Sequence, residues 1–238
     1  MMILLLRRRR IAGTVVFLLT AITILSLAAR PPAVPAFSYT ALPTMETIIL
    51  DAGHGGADGG AVAADGTAES GINLAVTLRL RDVFALLGRE TVMTRRDEGS
   101  LADADSETLR QQKVSDTKNR VALINSVANG RLISIHQNTL AGHPEVHGAQ
   151  VFFGKVEGSS ERAAAVQQTL NETVNAGNEK TAKPIGSDVY IMSHAQCPAI
   201  LVECGFLSNK AEAARLMTEE YQTVLALSIA GGYLQHGA

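Results

Sequence analysis

The chain predicts an α/β fold: a single twisted, mainly parallel sheet with helices on both faces, preceded by one N-terminal transmembrane helix. Three observations lead there. From Met45 onward, short runs rich in Ile, Leu and Val alternate with helical patterns of a dozen or more residues, the signature of a sheet covered on both sides. The 238 residues suit one fair-sized domain. Ahead of that domain, Ile11 to Ala29 holds nothing more polar than Thr and Ser, and follows the cluster Arg7, Arg8, Arg9, Arg10.

That apolar segment, at about 1.5 Å per helical residue, would span roughly 28 Å, close to the hydrocarbon thickness of a bilayer. The arginines on its amino side place the N-terminus in the cytoplasm and everything after Arg30 outside. Residues 1–30 therefore read as an arginine cluster and signal anchor, and residues 31–45, with Pro31, Pro32 and Pro35, as a stiff spacer. Residues 46–238 form the catalytic domain. A signal peptide cut near Ala36 is the rival reading and would give a secreted form; its apolar core is normally shorter than this one.

The elements follow in order. Thr47–Leu50 is a strand that runs into the glycine-rich loop Asp51-Ala52-Gly53-His54-Gly55-Gly56. Glu69 to Leu87 has Ile72, Val76, Val83 and Leu87 on one stripe and Gly88 as a helix stop. Thr91–Thr94 is the next strand. Asp97 to Asp116 is polar without a clean strand, and its second half opens a helix that continues through Arg120 to Val127. Strands follow at Leu132–Ile135 and Ala149–Phe153, a helix at Glu161–Val174, and strands at Val189–Met192 and Ile200–Val202. Helices at Lys210–Met217 and Glu219–Leu234 close the chain.

Charge excludes one class of partner. Removing the five arginines of residues 1–30 from the 21 basic residues leaves 16 against 23 acidic ones, a charge of −7 for the rest. Such a body is poorly suited to nucleic acid, whose binding relies on cations displacing counterions from phosphates. Cys197 and Cys204, the only cysteines, flank one strand, so roughly 23 Å would separate them where a disulfide needs about 5.5 Å. They read as two buried thiols.

The chemistry concentrates at strand ends. The first strand leads to His54, Leu-Ile-Ser-Ile ends on His136, and Ala-Ile-Leu-Val ends on Glu203. Ligands of open α/β sheets bind beyond the carboxyl ends of strands, so these residues converge on one crevice. Glu69 joins them from the first turn of a helix. Two histidines and a carboxylate with one open position make a catalytic zinc site, which polarises a carbonyl and acidifies water. A second carboxylate can move the proton. His54, Glu69 and His136 fit as ligands and Glu203 as the base. Each also has a plainer reading: His54 as a turn residue, His136 as a core histidine, and Glu69 as a helix-start carboxylate favoured by the dipole. Glu203 resists one, because an unpaired buried charge is costly. His143, His147, His194 and His236 read as surface residues, with His194 best placed to face the crevice. The glycine loop lacks GxxxxGK[ST], and Asp58 stands where a GxGxxG loop counted from Gly53 needs its third glycine. No HExxH, GxSxG or Cys-His signature is present.

With these residues in place, the sequence resembles the zinc-dependent N-acetylmuramoyl-L-alanine amidases of bacterial cell walls. The matching segments are Ile-Ile-Leu-Asp-Ala-Gly-His-Gly-Gly (48–56), Glu69, Val-Met-Thr-Arg (92–95), Asn-Arg (119–120), Ser-Ile-His-Gln-Asn (134–138) and Pro-Ala-Ile-Leu-Val-Glu-Cys-Gly-Phe-Leu-Ser-Asn (198–209). The resemblance implies zinc on His54, Glu69 and His136, with Glu203 catalytic. It implies hydrolysis of the amide between N-acetylmuramic acid and the L-alanine of the stem peptide. Leu109–Lys113, Asn119-Arg120 and Gly148–Phe153 look most like the membrane-anchored spore-cortex amidases of Firmicutes, which take part in making muramic lactam. Ser193 and His194 depart from the family, whose members often carry an arginine there. A zinc peptidase of wall stem peptides and an inactive wall-binding relative are the alternatives. The expected partners are a glycan strand with its stem peptide, the membrane through the N-terminal helix, and a protein activator or recruiter, because no length remains for a wall-binding module.

Overall fold

In a computed structural model that describes residues 46–235, strand β1 (Thr47–Ala52) is followed by helix α1 (Glu69–Leu86) and β2 (Thr91–Met93). Next come α2 (Leu109–Ser126), β3 (Gly130–Asn138), β4 (Gln150–Phe153), α3 (Ser159–Thr173), β5 (Lys183–Pro184) and α4 (Tyr190–His194). The chain closes with β6 (Ala199–Phe206), α5 (Lys210–Leu216) and α6 (Glu219–Gln235). The strands make one sheet in the order β2-β1-β3-β6-β4-β5, and every neighbouring pair is parallel except β4 with β6. The expected α/β architecture holds. The arginine cluster, apolar segment and spacer lie outside the described residues. Among the described residues, no helix is long and apolar enough to cross a membrane.

Alternation along the strands explains the two layers. Ile48 and Leu50 of β1, Ile133 and Ile135 of β3 and Val202 of β6 pack against Val76, Leu80 and Phe84 of α1, Val166 and Leu170 of α3 and Leu225 and Ile229 of α6. Their neighbours Ile49, Leu132 and Leu201 face the other way, onto Ile124 of α2 and Met192 of α4. The second face carries far less apolar cover. Beyond its small core, toward the carboxyl ends, the same strand faces present Asp51, Ser134, His136 and Glu203.

Two expectations are corrected, and one strand is added. Val189–Met192 is helical over Tyr190–His194, because Val189, Ile191 and Met192 all reach the small core from a single turn. Four apolar residues carry no period that separates strand from helix. Residues 183–184 add an edge strand where Pro184, lacking an N–H, is tolerated. Cys197 is only half-buried; Cys204 is buried, and both are free. The polar region ahead of α2 ends in a capping box, with the Thr108 side chain accepting from the Gln111 N–H and Gln111 reaching back to the Thr108 backbone.

Candidate metal centre

The site begins with the backbone of the loop after β1. The Gly53 N–H extends the ladder to the Ile135 carbonyl at 3.0 Å. His54 then takes φ of +61°, a left-handed conformation that costs a side-chain-bearing residue roughly 1–2 kcal/mol. Two buried arginines hold it there. Arg95 donates from Nε to the Ala52 carbonyl at 2.9 Å and from Nη2 to the Gly53 and Ser70 carbonyls. Arg120 donates from Nη1 to the Ala52 carbonyl and the Asp51 carboxylate, both at 2.7 Å, and from Nη2 to the His54 carbonyl at 2.6 Å. Three successive loop carbonyls are thereby fixed by guanidinium groups. Asp51 accepts further bonds from Ser134 and Thr94. Burial alone would raise its pKa, but Arg120 and these hydroxyls bring it down to about 2.

Glu69, at the start of α1, is 3% exposed. Its Oε1 lies 3.0 Å from His136 Nδ1 and accepts from the Gln137 N–H at 3.0 Å and the Asn73 amide at 3.1 Å. Its Oε2 accepts from the Ala61 N–H at 2.9 Å and lies 3.4 Å from His54 Nε2. Burial opposes ionisation, yet the two histidines hold this carboxyl far below its ordinary range. On the other side of His54, Nδ1 lies 2.9 Å from Asp58 Oδ2. Burial would lower the His54 pKa, but Glu69 and Asp58 outweigh it and raise the ring to about 9. Burial likewise opposes ionisation of Asp58, whose pKa is nevertheless lowered by Lys113 and His54.

One donor atom from each of His54, Glu69 and His136 lies within 4.8 Å of the other two. Glu203 stands beside them as the register partner of His136 across β3 and β6. Its Oε2 is buried with no hydrogen-bond partner among the described residues, and its pKa is pushed up to about 7, mainly by burial with a contribution from Glu69. The glycines nearby have a steric reason. A Cβ at Gly53 would fall 2.3 Å from the His136 ring, and one at Gly60 would fall 2.6 Å from Glu69 Oε2.

The four residues selected from sequence thus meet at the carboxyl ends of β1, β3 and β6. His194 does not join them. Its carbonyl accepts from Asn125 near the end of α2, where that helix leads into the start of β3, so it lies toward the opposite pole of the sheet. Sequence reasoning missed the supporting set Asp58, Asn73, Arg95 and Arg120, although Thr94-Arg95 and Asn119-Arg120 lay within segments of family likeness. Two imidazoles and one carboxylate converging with no fourth ligand among the described residues, next to an unpartnered buried carboxylate oxygen, fit a catalytic metal with an open position.

A family model of N-acetylmuramoyl-L-alanine amidases matches residues 48–235. The chain belongs to this family. As an amidase, it hydrolyses peptidoglycan at the bond between N-acetylmuramic acid and L-alanine. The germination-specific N-acetylmuramoyl-L-alanine amidase of Bacillus subtilis (strain 168) is 34% identical over 189 residues, covering 79% of this chain and 78% of the relative. The amidase also superimposes on the CwlD amidase of Clostridioides difficile, solved in complex with the GerS lipoprotein, with a TM-score of 0.77 and 38% identity over 80% of this chain and 98% of that one. The catalytic domain of CwlV from Bacillus (Paenibacillus) polymyxa var. colistinus gives a TM-score of 0.67 at 26% identity, covering 80% and 97% of the two chains.

Proposed function

We propose that the amidase works with zinc held by His54, Glu69 and His136, with Glu203 as its general base and acid. The observation that carries this is the His54–Glu69–His136 cluster beside the buried, unpartnered Glu203 Oε2. Zinc, when bound, supplies a Lewis acid for the scissile carbonyl and lowers the pKa of water. Glu203, poised near neutral pH by burial, accepts a proton from water and returns it to the departing nitrogen of L-alanine. Asn73, Gln137 and Ala61 keep Glu69 oriented through its accepted bonds.

The test digests purified peptidoglycan with and without a chelator. Intact glycan and free peptides beginning with L-alanine, lost on chelation and restored by zinc, are expected. Peptides cut internally would point to a stem-peptide peptidase instead. Glu203→Gln should retain zinc and lose about 10²–10⁴-fold of the rate; full activity in that variant overturns its assigned role.

Likeness to the germination-specific amidase and to CwlD supports a role in modifying spore-cortex peptidoglycan. A disrupted strain should then make spores lacking muramic lactam. The N-terminal arginine cluster and apolar run support an extracytoplasmic domain tethered by a signal anchor, which fractionation of tagged cells would test. The lipoprotein bound to CwlD supports a protein recruiter here too.

A further inference from the structure

Helix α2 carries a polar stripe directed at the glycine loop. Lys113, Asp116 and Arg120 are spaced by three and four residues and so share one helical face. Arg120 holds the His54 carbonyl, and Asp116 binds both Arg120 Nε at 2.9 Å and the Leu101 N–H at 2.6 Å. Lys113 reaches the side-chain end of the same histidine by way of Asp58. Its Nζ lies 2.7 Å from Asp58 Oδ1, while Asp58 Oδ2 lies 2.9 Å from His54 Nδ1. The Gly60 N–H adds a bond to Oδ1 at 3.2 Å, so both oxygens of this carboxylate are occupied.

Geometry then dictates a tautomer. With Nδ1–H donated to Asp58, the neutral ring that a metal requires carries its lone pair on Nε2, the nitrogen that faces Glu69 Oε2 at 3.4 Å. His136 is located differently. It turns Nδ1 toward Glu69, and its ring lies against Gly53, where a Cβ could not fit. Among the described residues, His54 is therefore the one of the two histidines with a carboxylate behind it, and that carboxylate is gripped from a separate helix.

We infer that Asp58 and Lys113 are positioning residues for His54: the Lys113–Asp58 pair, presented by α2, fixes the imidazole in its Nδ1–H form with Nε2 aimed into the metal site. This rests on the proposed metal centre. Outer-shell carboxylates of this kind are typically worth 10–100-fold in metal affinity. Lys113 acts one step further out and should contribute less.

Zinc affinity is the readout, measured by competition with a chromophoric chelator on the full chain, alongside long-range ¹H–¹⁵N spectra of the zinc-loaded protein labelled at histidine. Wild type should bind one zinc per chain and show His54 as the Nδ1–H tautomer. Asp58→Ala should weaken zinc about 10–100-fold, and Lys113→Met about 3–10-fold. Lys113→Met leaves the Asp58–Gly60 turn intact, so it tests the pairing even if Asp58→Ala loosens the loop. Lys118→Met, on the same helix outside this stripe, should bind zinc as wild type does. Unchanged affinity in Lys113→Met and Asp58→Ala, or an Nε2–H tautomer in wild type, would overturn the positioning role while leaving the metal centre standing. Failure of wild type to bind zinc would overturn both.

Discussion

His136 and Glu203 are register partners on the adjacent parallel strands β3 and β6, which puts a proposed metal ligand and a carboxylate with a buried, unpartnered oxygen at the same height of the sheet. Neighbouring strands are about 4.8 Å apart, so no loop movement is needed to bring the two groups together. Two central strands, each paired on both sides, therefore set their separation.

Burying Glu203 costs stability whenever it is ionised. Its folded pKa of about 7 exceeds the ordinary value of 4.5, so the folded chain holds a proton that the unfolded chain has released, and stability falls as pH rises from about 4.5 to 7. In the metal-free protein, Glu203→Gln removes this penalty. The variant should match wild type near pH 4 and exceed it at pH 8 by up to about 3 kcal/mol, since each tenfold change in proton affinity is worth roughly 1.4 kcal/mol. Thermal melts across that range check it, and a variant less stable at pH 8 than at pH 4 relative to wild type would contradict it.

If His54 holds zinc as proposed, binding must displace a proton from its ring. With its metal-free pKa raised to about 9, the ring is protonated at neutral pH, whereas a ligand nitrogen needs its lone pair free. Apparent zinc affinity should therefore rise close to tenfold per pH unit from pH 6 to 8 and level off near 9. Chelator competition at several pH values measures the slope, and a flat profile would show that His54 is not a ligand.

What sequence revealed follows from how locally each feature is encoded. β1, β3 and β6 are built on short, nearly unbroken runs of Ile, Leu and Val because helices cover both faces, and the polar terminators His136 and Glu203 stand out for that reason. Arg95 and Arg120 could not be read in the same way, since the Ala52, Gly53 and His54 carbonyls they hold are 42 to 68 positions away. Helix α2 buries only Asp116, Arg120 and Ile124, so its inward stripe is mostly polar and mimics a solvated face. The antiparallel pairing of β4 and the turn of helix at Tyr190–His194 depend on tertiary contacts that four-residue segments do not specify.

Arg120 is the main counter-charge of Asp51, and both are almost wholly buried. Asp51 has a depressed pKa of about 2, so its stabilising contribution of about 2 kcal/mol is complete above pH 4 and is lost as pH falls toward 2. Arg120→Met would leave the carboxylate buried without its guanidinium, at a cost of about 3–5 kcal/mol near neutral pH. The pH dependence should also invert, because an unpaired buried carboxyl prefers its proton. The variant should regain stability relative to wild type on acidification from pH 7 to 4, and a constant difference in melting temperature would refute the pairing.

Gly53→Ala separates steric design of the site from backbone strain. Gly53 is not among the residues with left-handed φ, so the backbone accepts alanine, but the new Cβ would fall 2.3 Å from His136 Cε1 and Nε2. β3 cannot retreat, because it is hydrogen-bonded to β1 on one side and β6 on the other. The imidazole must therefore turn away from Glu69, with zinc affinity and activity falling at least tenfold and an overpacking cost of about 1–3 kcal/mol. Gly66→Ala supplies the converse: φ of +93° makes alanine strained, yet nothing lies within 4 Å of its Cβ. That variant should lose about 1–2 kcal/mol and keep full zinc affinity. Equal effects of the two substitutions on zinc would mean that the Gly53–His136 contact does not set the ligand geometry.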